Sequence, residues 1–578
     1  MKSATGRAPS LAVWPLLGLV AAIGLVFDSR SYDPNAPKLQ LAFAAVGLAL
    51  AALGIEARSA RLELPRRREL DSWVLAALGA ACASALASEF PWLAGPAIRD
   101  LSLVALAYGC ARMALAPEDG PRLEGVLGLV TTAASVFGLA QLIAPTGMAF
   151  VAPFGHQART LAATMANPDY FAAWLLMTWP FLASGLRRSE KLRWVWSAVI
   201  ALALTCLILS FSRAAWVGLA AQLVLARAGA GWSRRSAAAA AGLALVVVLA
   251  MPGLTSKLGS AATARQRLVI WRAALGMATQ RPLLGHGPGA FGAVFPAFRA
   301  PDFRATGMAY VDEFAHDLPL HAVACGGLLG LAMLALGLAA LTRDGESIEA
   351  RHLAAVGMLA QNLFSVTLCV TPLAAALAFL VGGPEQRPSP GGPVAPRALA
   401  GALWGFAALA AWGCLSAGYE LGAGRALRDG RLATEAGLAR GTEGWQPRAA
   451  QLLEEARALG PLAVAPRYRL AGVRALAGDL GTAAAAYIMV EALWPGYAEL
   501  PRNRAEVYRA MGALVPARRQ ARLWSDMNAV EPAGPVLLAE IEEEAGDRVE
   551  ARKNALLARD RGASGPAFEA LLGRLLGP

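Results

Sequence analysis

Residues 318–341 read LPLHAVACGGLLGLAMLALGLAAL, an unbroken run without Asp, Glu, Lys or Arg. Wound as a helix rising 1.5 Å per residue, it extends about 36 Å, more than the roughly 30 Å of a bilayer's hydrocarbon core. Working outward, apolar blocks of the same kind recur at 11–27, 39–55, 72–88, 101–116, 123–143, 170–186, 194–211, 214–229, 237–252, 352–367, 371–383 and 398–416. The stretch 352–383 is too long for one upright helix, and Thr371-Pro372 divides it into two short ones. Across the chain 56% of residues are hydrophobic and 16% charged, against about 45–50% and 25% in soluble domains. The expected fold class is all-α: a polytopic helical membrane domain of about 12–13 spans over 1–416, then a soluble helical domain over 417–578.

Orientation follows from the basic residues. Lys2 and Arg7 precede the first apolar run, and no small-x-small cleavage site follows, so that run reads as an uncleaved span. With the N-terminus inside, one cytoplasmic loop carries Arg58, Arg61, Arg66, Arg67 and Arg68, and another carries Arg187, Arg188, Lys191 and Arg193. The loops at 28–38, 89–100 and 144–169 carry one or two each. This is the positive-inside pattern. It accounts for the +12 net charge without a nucleic-acid partner, and thirteen spans place the C-terminal domain outside. The six cysteines all lie within or beside apolar blocks, and no CxxC occurs, which argues against a disulfide framework or a zinc site.

In the C-terminal third, Gly478, Gly512 and Gly546 stand 34 residues apart, and Ala483, Ala517 and Ala551 follow each by five. Gly-Asp recurs at 478–479 and 546–547, and Leu470, Tyr487 and Pro495 complete one unit. The pattern resembles tetratricopeptide repeats, best in the first unit, with Pro532 and Pro566 late in the others. Stacked helical pairs of that kind build a concave docking face. No catalytic constellation stands out there.

Chemistry is narrowed first by exclusion. The chain has no GxxxxGK[ST], no HExxH, no DxD and five histidines in all. No metal site and no cofactor are expected. The longest connection, 253–317, faces outside on the same parity, yet between Gly253 and Ala315 it holds seven Lys or Arg against three Asp or Glu. Loops so long inside compact domains are usually functional. A basic loop on the side where Lys and Arg are depleted suits either a lipid-borne phosphate, whose oxygens match guanidinium forks, or an amphipathic helix lying on anionic headgroups.

Arg267-Leu-Val-Ile-Trp271, Arg281-Pro-Leu-Leu-Gly-His-Gly287 and Ala315-His316-Asp317 in this loop, with Gly326-Gly-Leu-Leu-Gly330 in the run after it, form a set of motifs. In order and spacing they resemble the O-antigen ligase / Wzy polymerase superfamily. Upstream, Ser212-Arg213 and Arg159 with Asn167-Pro168-Asp169-Tyr170-Phe171 agree with it. The likeness covers roughly 120–385. The chain departs from the pattern in having His316-Asp317 for His-Asn or His-Ser, and Asn-Pro-Asp for Asn-Pro-Asn, departures that bear on acceptor choice.

The resemblance implies transfer of a glycan from an undecaprenyl-diphosphate carrier to an acceptor hydroxyl in the periplasm, with the chain in the bacterial inner membrane. A diphosphate leaving group needs fixed cations, and a charge where a span meets the outer surface is a functional candidate by default. Arg213 and Arg267 are the expected clamps. Histidine titrates near neutrality, so His316, just before a span, is the expected general base. Arg159, Arg265, Asn167 and Asp317 are expected around the substrate. His286, between two glycines, and His321, inside the span, read as structural. The acceptor is a growing glycan, lipid A core or a protein, and the repeats suit polysaccharide-assembly partners; membrane lipids surround the spans. Two other classes compete. A small-anion or glycan transporter fits the span count, but spans 1–6 and 7–12 show no mutual repeat and intramembrane acids are nearly absent. A non-catalytic scaffold would act through its repeats alone.

Overall fold

The computed structural model describes residues 10–59, 61–65, 67–143, 161–229, 260–300, 303, 313–343, 348–383, 397–441 and 444–577. Arg159 and the span expected at 237–252 lie outside them. Among the described residues the chain is all helical, with no strand. The membrane domain comprises α1 (Val13–Leu25), α2 (Ala36–Arg58), α3 (Glu69–Leu86), α4 (Pro91–Ala114), α5 (Gly120–Ile143), α6 (Pro168–Arg188), α7 (Arg193–Leu209) and α8 (Arg213–Gly229). It continues with α9 (Ser260–Gln280), α10 (Phe291–Val294), α11 (Leu318–Arg343), α12 (Ala350–Gln361), α13 (Thr371–Gly382) and α14 (Arg397–Arg440). Twelve of the thirteen expected spans fall on these helices. Five are long and apolar enough to cross a bilayer by length and composition, and α1, α7 and α13 are shorter apolar helices. The chain is a multi-pass helical membrane protein.

The run that opened the sequence reading is not one straight helix. α11 breaks at Gly327, whose φ of 63° and ψ of −162° belong to a region only glycine occupies readily. The turn after α9 crosses the break. His286 N donates to Ala324 O at 3.1 Å and Gly287 N to Cys325 O at 2.8 Å. In return Leu328 N donates to Pro282 O at 2.7 Å and Leu329 N to Leu283 O at 3.2 Å. Backbone groups freed by the kink are thus satisfied by the Pro282–Gly287 turn, as they must be away from water. Ser84 Oγ, from α3, adds bonds to Leu284 O and Cys325 O.

The second interruption arrives earlier than the sequence suggests. α12 stops at Gln361 rather than near 367, because Asn362 replaces the helical ladder with side-chain bonds. Its Nδ2 donates to Met358 O and to Thr367 Oγ1, both at 2.8 Å, and its Oδ1 accepts from Leu368 N at 3.0 Å. Each half, α12 and α13, is 12 residues long, about 18 Å.

The boundary expected at 416/417 falls inside α14, a 44-residue helix running from the membrane domain into the repeats. No proline interrupts it after Arg397, so the backbone has no reason to stop. Arg99 of α4 clamps it: Nη1 reaches Glu420 Oε1 at 2.6 Å and Ser416 Oγ at 2.7 Å.

The repeats are α15 (Gln446–Leu459), α16 (Val464–Leu476), α17 (Leu480–Leu493), α18 (Leu500–Ala510), α19 (Leu514–Met527), α20 (Ala533–Glu544), α21 (Arg548–Asp560) and α22 (Pro566–Leu576). Gly478, Gly512 and Gly546 each follow a helix with φ of 84°, 74° and 79°. The next amide in each case reaches back to close the helix end: Asp479 N to Arg474 O, Ala513 N to Tyr508 O, Asp547 N to Glu542 O. Asp479 and Asp547 then cap the following helix. Ala483, Ala517 and Ala551 are fully buried where the paired helices touch. The 34-residue period is therefore a stop-and-start signal for helix pairs.

The repeats dock on one end of the membrane domain. Trp494 Nε1 donates to Gly292 O at 2.8 Å, Trp92 Nε1 to Leu493 O at 3.0 Å, and Arg299 Nη2 to Asn528 Oδ1 at 3.2 Å. Arg425 of α14 pairs with Asp28 at 2.6 Å. The repeats thus share a side with the 28–35 loop and with the segment 281–300.

Candidate functional site

Each expected cation is set by a helix start or a packed helix. Ser212 caps α8, its Oγ accepting from Ala215 N at 3.3 Å, and presents Arg213 as an exposed first residue. Arg267 lies midway along α9. That helix buries Val269, Ile270, Ala273, Ala274 and Met277 against Phe291, Phe295 and the first half of α11. One apolar face is thus used inside the protein, while Arg265, Leu268, Arg272 and Leu275 stay exposed along the other side. Arg267 is half-buried, and burial pushes its guanidinium below the usual range, with Asp169 opposing and Arg213 adding to the effect. Arg267 therefore lies within electrostatic reach of both Arg213 and Asp169, although the three are far apart in sequence.

Asp169 is held by backbone. Asn167 caps α6, accepting from Asp169 N at 2.8 Å, and Gln361 Nε2 donates to Asp169 O at 3.1 Å. The broken end of α12 reaches the other side as well: Leu318 N donates to Asn362 O at 2.8 Å. The start of α11, carrying His316 and Asp317, is thereby tied to the residue beside Gln361. Asp317 Oδ1 accepts from Leu320 N at 2.7 Å and caps α11. Three helix N-termini, those of α6, α8 and α11, gather around this region, and each contributes partial positive charge from unpaired amides.

His316 is half-buried with φ of 53°. Among the described residues five non-glycine residues have positive φ, and four flank this cluster: Ala163, Ala166, Phe211 and His316. Such conformations cost on the order of 1–3 kcal/mol each and persist where packing over-determines them, characteristically at functional sites. His321 packs between the rings of Phe291 at 5.4 Å and Phe314 at 5.6 Å. His286 is buried, with Nε2 3.1 Å from Met277 O. Burial holds its imidazole below the ordinary value.

The expected set does not all converge. Arg265 is exposed and two residues from Arg267 on α9, a spacing that turns it to another face. Asn167 and Asp317 spend their side chains on helix caps. Sequence reasoning missed three contributors. Asp169 was visible only as a departure from the Asn-Pro-Asn pattern, and Gln361 had no signal at all. The third is Lys38, a lysine fully buried near the start of α2. Its Nζ donates to Thr164 O at 3.0 Å, while Asn35 Nδ2 donates to Met165 O at 3.2 Å. Together they pin the 163–166 turn that leads into Asn167 and Asp169. Among the described residues no three His, Cys, Asp or Glu side chains gather as a metal would need.

The O-antigen ligase family model (Wzy_C) matches residues 198–335, a span that includes Arg213, Arg267, the interlocked turn and His316. No curated protein matches the chain. One solved structure similar to the chain is the APC/C hetero-tetramer Cut9-Hcn1, at 10% identity over 94% of this chain and 84% of that one, with a TM-score of 0.25; a likeness so low carries no argument. This chain is thus a multi-pass helical membrane protein whose residues 198–335 are similar to the O-antigen ligase family.

Proposed function

We propose that the chain is a glycosyltransferase of the bacterial inner membrane that acts on the periplasmic side. It moves a glycan from an undecaprenyl-diphosphate-linked donor to an acceptor hydroxyl. The observation that carries this reading is the half-buried Arg267, within electrostatic reach of Arg213 and Asp169, in a segment similar to the O-antigen ligase family that also holds the strained backbone at His316. In the proposed step His316 takes the acceptor's hydroxyl proton as the oxygen attacks the anomeric carbon. The carbon–oxygen bond to the diphosphate breaks, and the electron pair leaves with the diphosphate. Arg213 and Arg267 take up the developing charge where a metal would otherwise serve. Asp169 holds Arg267 in place, and the repeats, docked on the same end, hold the acceptor or its assembly partners nearby.

The test measures transfer and donor binding separately for Arg213→Lys, Arg267→Lys and His316→Ala, with and without EDTA. Lysine cannot make the bidentate fork, so each Lys variant should lose on the order of 10²–10³ in rate. His316→Ala should lose transfer and keep donor binding. EDTA should change neither. Wild-type transfer by His316→Ala would remove the assigned base, and loss in EDTA restored by magnesium would remove the arginine clamp.

A further inference from the structure

Away from the membrane, α19 places Val515, Arg518, Arg519, Arg522, Leu523 and Asp526 along one face, spaced by three and four residues. The opposite face, with Ala517, Ala521 and Trp524, packs into the repeats. The first face lines an open cleft of about 570 Å³, closed on its other side by Arg504 of α18 and Glu491 of α17. Four guanidiniums thus face two lining carboxylates. Arg504 is buried and committed to Glu491, with its guanidinium 5.7 Å over the Tyr508 ring. Arg518 is committed to Glu542, a carboxylate 1% exposed, at 2.5 Å. Arg519 is exposed, and Arg522 stands 3.9 Å from the same Glu542 with 58% of its side chain exposed. Both present charge to the cleft.

A second, independent observation marks it as a ligand site. Gln520 also lines the cleft, is 8% exposed, and its Oε1 has no hydrogen-bond partner among the described residues. Buried carbonyl groups are normally bonded, and an orphaned acceptor beside a cleft asks for an incoming donor. The walls therefore require a ligand that brings both carboxylates and an N–H or O–H group. Val515 is 79% exposed and Leu523 42% exposed beside the charges, which adds an apolar shelf. No aromatic ring lines the cleft to stack on a sugar face.

We propose that this cleft binds an acidic peptide segment of a partner protein. Its carboxylates pair with Arg519 and Arg522, one backbone N–H meets Gln520 Oε1 once that side chain turns into the cleft, and an aliphatic side chain lies on Val515 and Leu523. Recognition of acidic motifs by arginine clusters is an established mode of peptide binding, and stacked helical repeats offer the extended surface for it. The site is separate from the proposed transfer site, so its loss leaves transfer of a soluble acceptor unchanged.

The experiment uses the full-length protein in detergent and three probes of about six residues or sugars. One is a peptide alternating Glu with Leu, the second is its Gln counterpart, and the third is an oligogalacturonate. The Glu peptide should bind, weaken by about tenfold or more in Arg519→Glu and in Arg522→Glu, and weaken further with salt. Gln520→Leu should weaken it without changing the salt dependence. Both arginines are exposed, so these variants should fold, and an unchanged melting profile confirms it. Equal binding of the Gln peptide, or binding by the oligogalacturonate in place of the Glu peptide, overturns the proposal. So does wild-type affinity in the arginine variants.

Discussion

Adding one methyl group at Gly327 tests whether the crossed turn and helix position the site. A Cβ there would lie 2.3 Å from both C and O of Leu283 and 2.6 Å from Leu284 N, all backbone atoms. No side chain can swing away, so the turn itself has to move. The backbone conformation costs a non-glycine residue on the order of 1–3 kcal/mol, and the overpacking a similar amount. Displacing the turn also weakens the Leu328 and Leu329 bonds to it, each worth about 0.5–1.5 kcal/mol. Together Gly327→Ala should destabilise by on the order of 3–9 kcal/mol, concentrated where α9 meets α11. That contact sets Arg267 against the helix that follows His316, so transfer should fall although neither residue is touched. The neighbouring Gly326 is the control. A Cβ there meets nothing within 4 Å, and alanine in a helix is favoured over glycine by about 1 kcal/mol. The assay is thermal unfolding in detergent with transfer at matched expression. Gly326→Ala should melt at or above the wild-type temperature, and Gly327→Ala well below it. Equal melting and activity for the two would show that the crossing is not what holds the site.

Lys38→Met, which keeps most of the volume but loses the Thr164 bond, should fold and cut transfer by about tenfold or more, with donor affinity falling alongside; unchanged transfer would detach the 163–166 turn from the site. Trp494→Ala removes the indole bond to Gly292 and the ring packed on Tyr497, so limited proteolysis should release a fragment beginning near residue 440, whereas a wild-type digestion pattern would mean the dock rests elsewhere. Asp169→Asn should weaken Arg267→Lys less than it weakens wild type, because the two residues share one interaction; strictly additive losses in a double-mutant cycle would break that pairing. A phosphatase joined to the C-terminus should be active, since repeats and loop share one side; a silent fusion would invert the orientation.

How far the sequence reaches depends on the range of the signal. The period of 34 was readable because each glycine carries its meaning locally: a positive φ ends one helix and an adjacent cap begins the next. The apolar runs likewise announced the spans, and the basic loop with its histidine announced the region where α9 and α11 meet. Those are properties of a few consecutive residues, and physical chemistry acts on them before any tertiary contact forms.

What tertiary structure alone decided lies in pairs far apart in the chain. Asp169 is an ordinary helix-start carboxylate until α9 brings Arg267 within its electrostatic reach. Gln361 and Asn362 are unremarked amides until a broken helix sets one against Asp169 and the other against the first amide of α11. Lys38 is legible as a misplaced charge in an apolar block, but its partner carbonyl is a backbone atom 126 residues away. Even the run at 318–341, so plainly a span, conceals a break, because the glycine that permits it is common in membrane helices and the turn that demands it comes from elsewhere. Local sequence sets which conformations are cheap, and only packing chooses among them, since the energy that pays for a strained His316 or a kinked α11 resides in contacts between segments that the sequence does not place side by side.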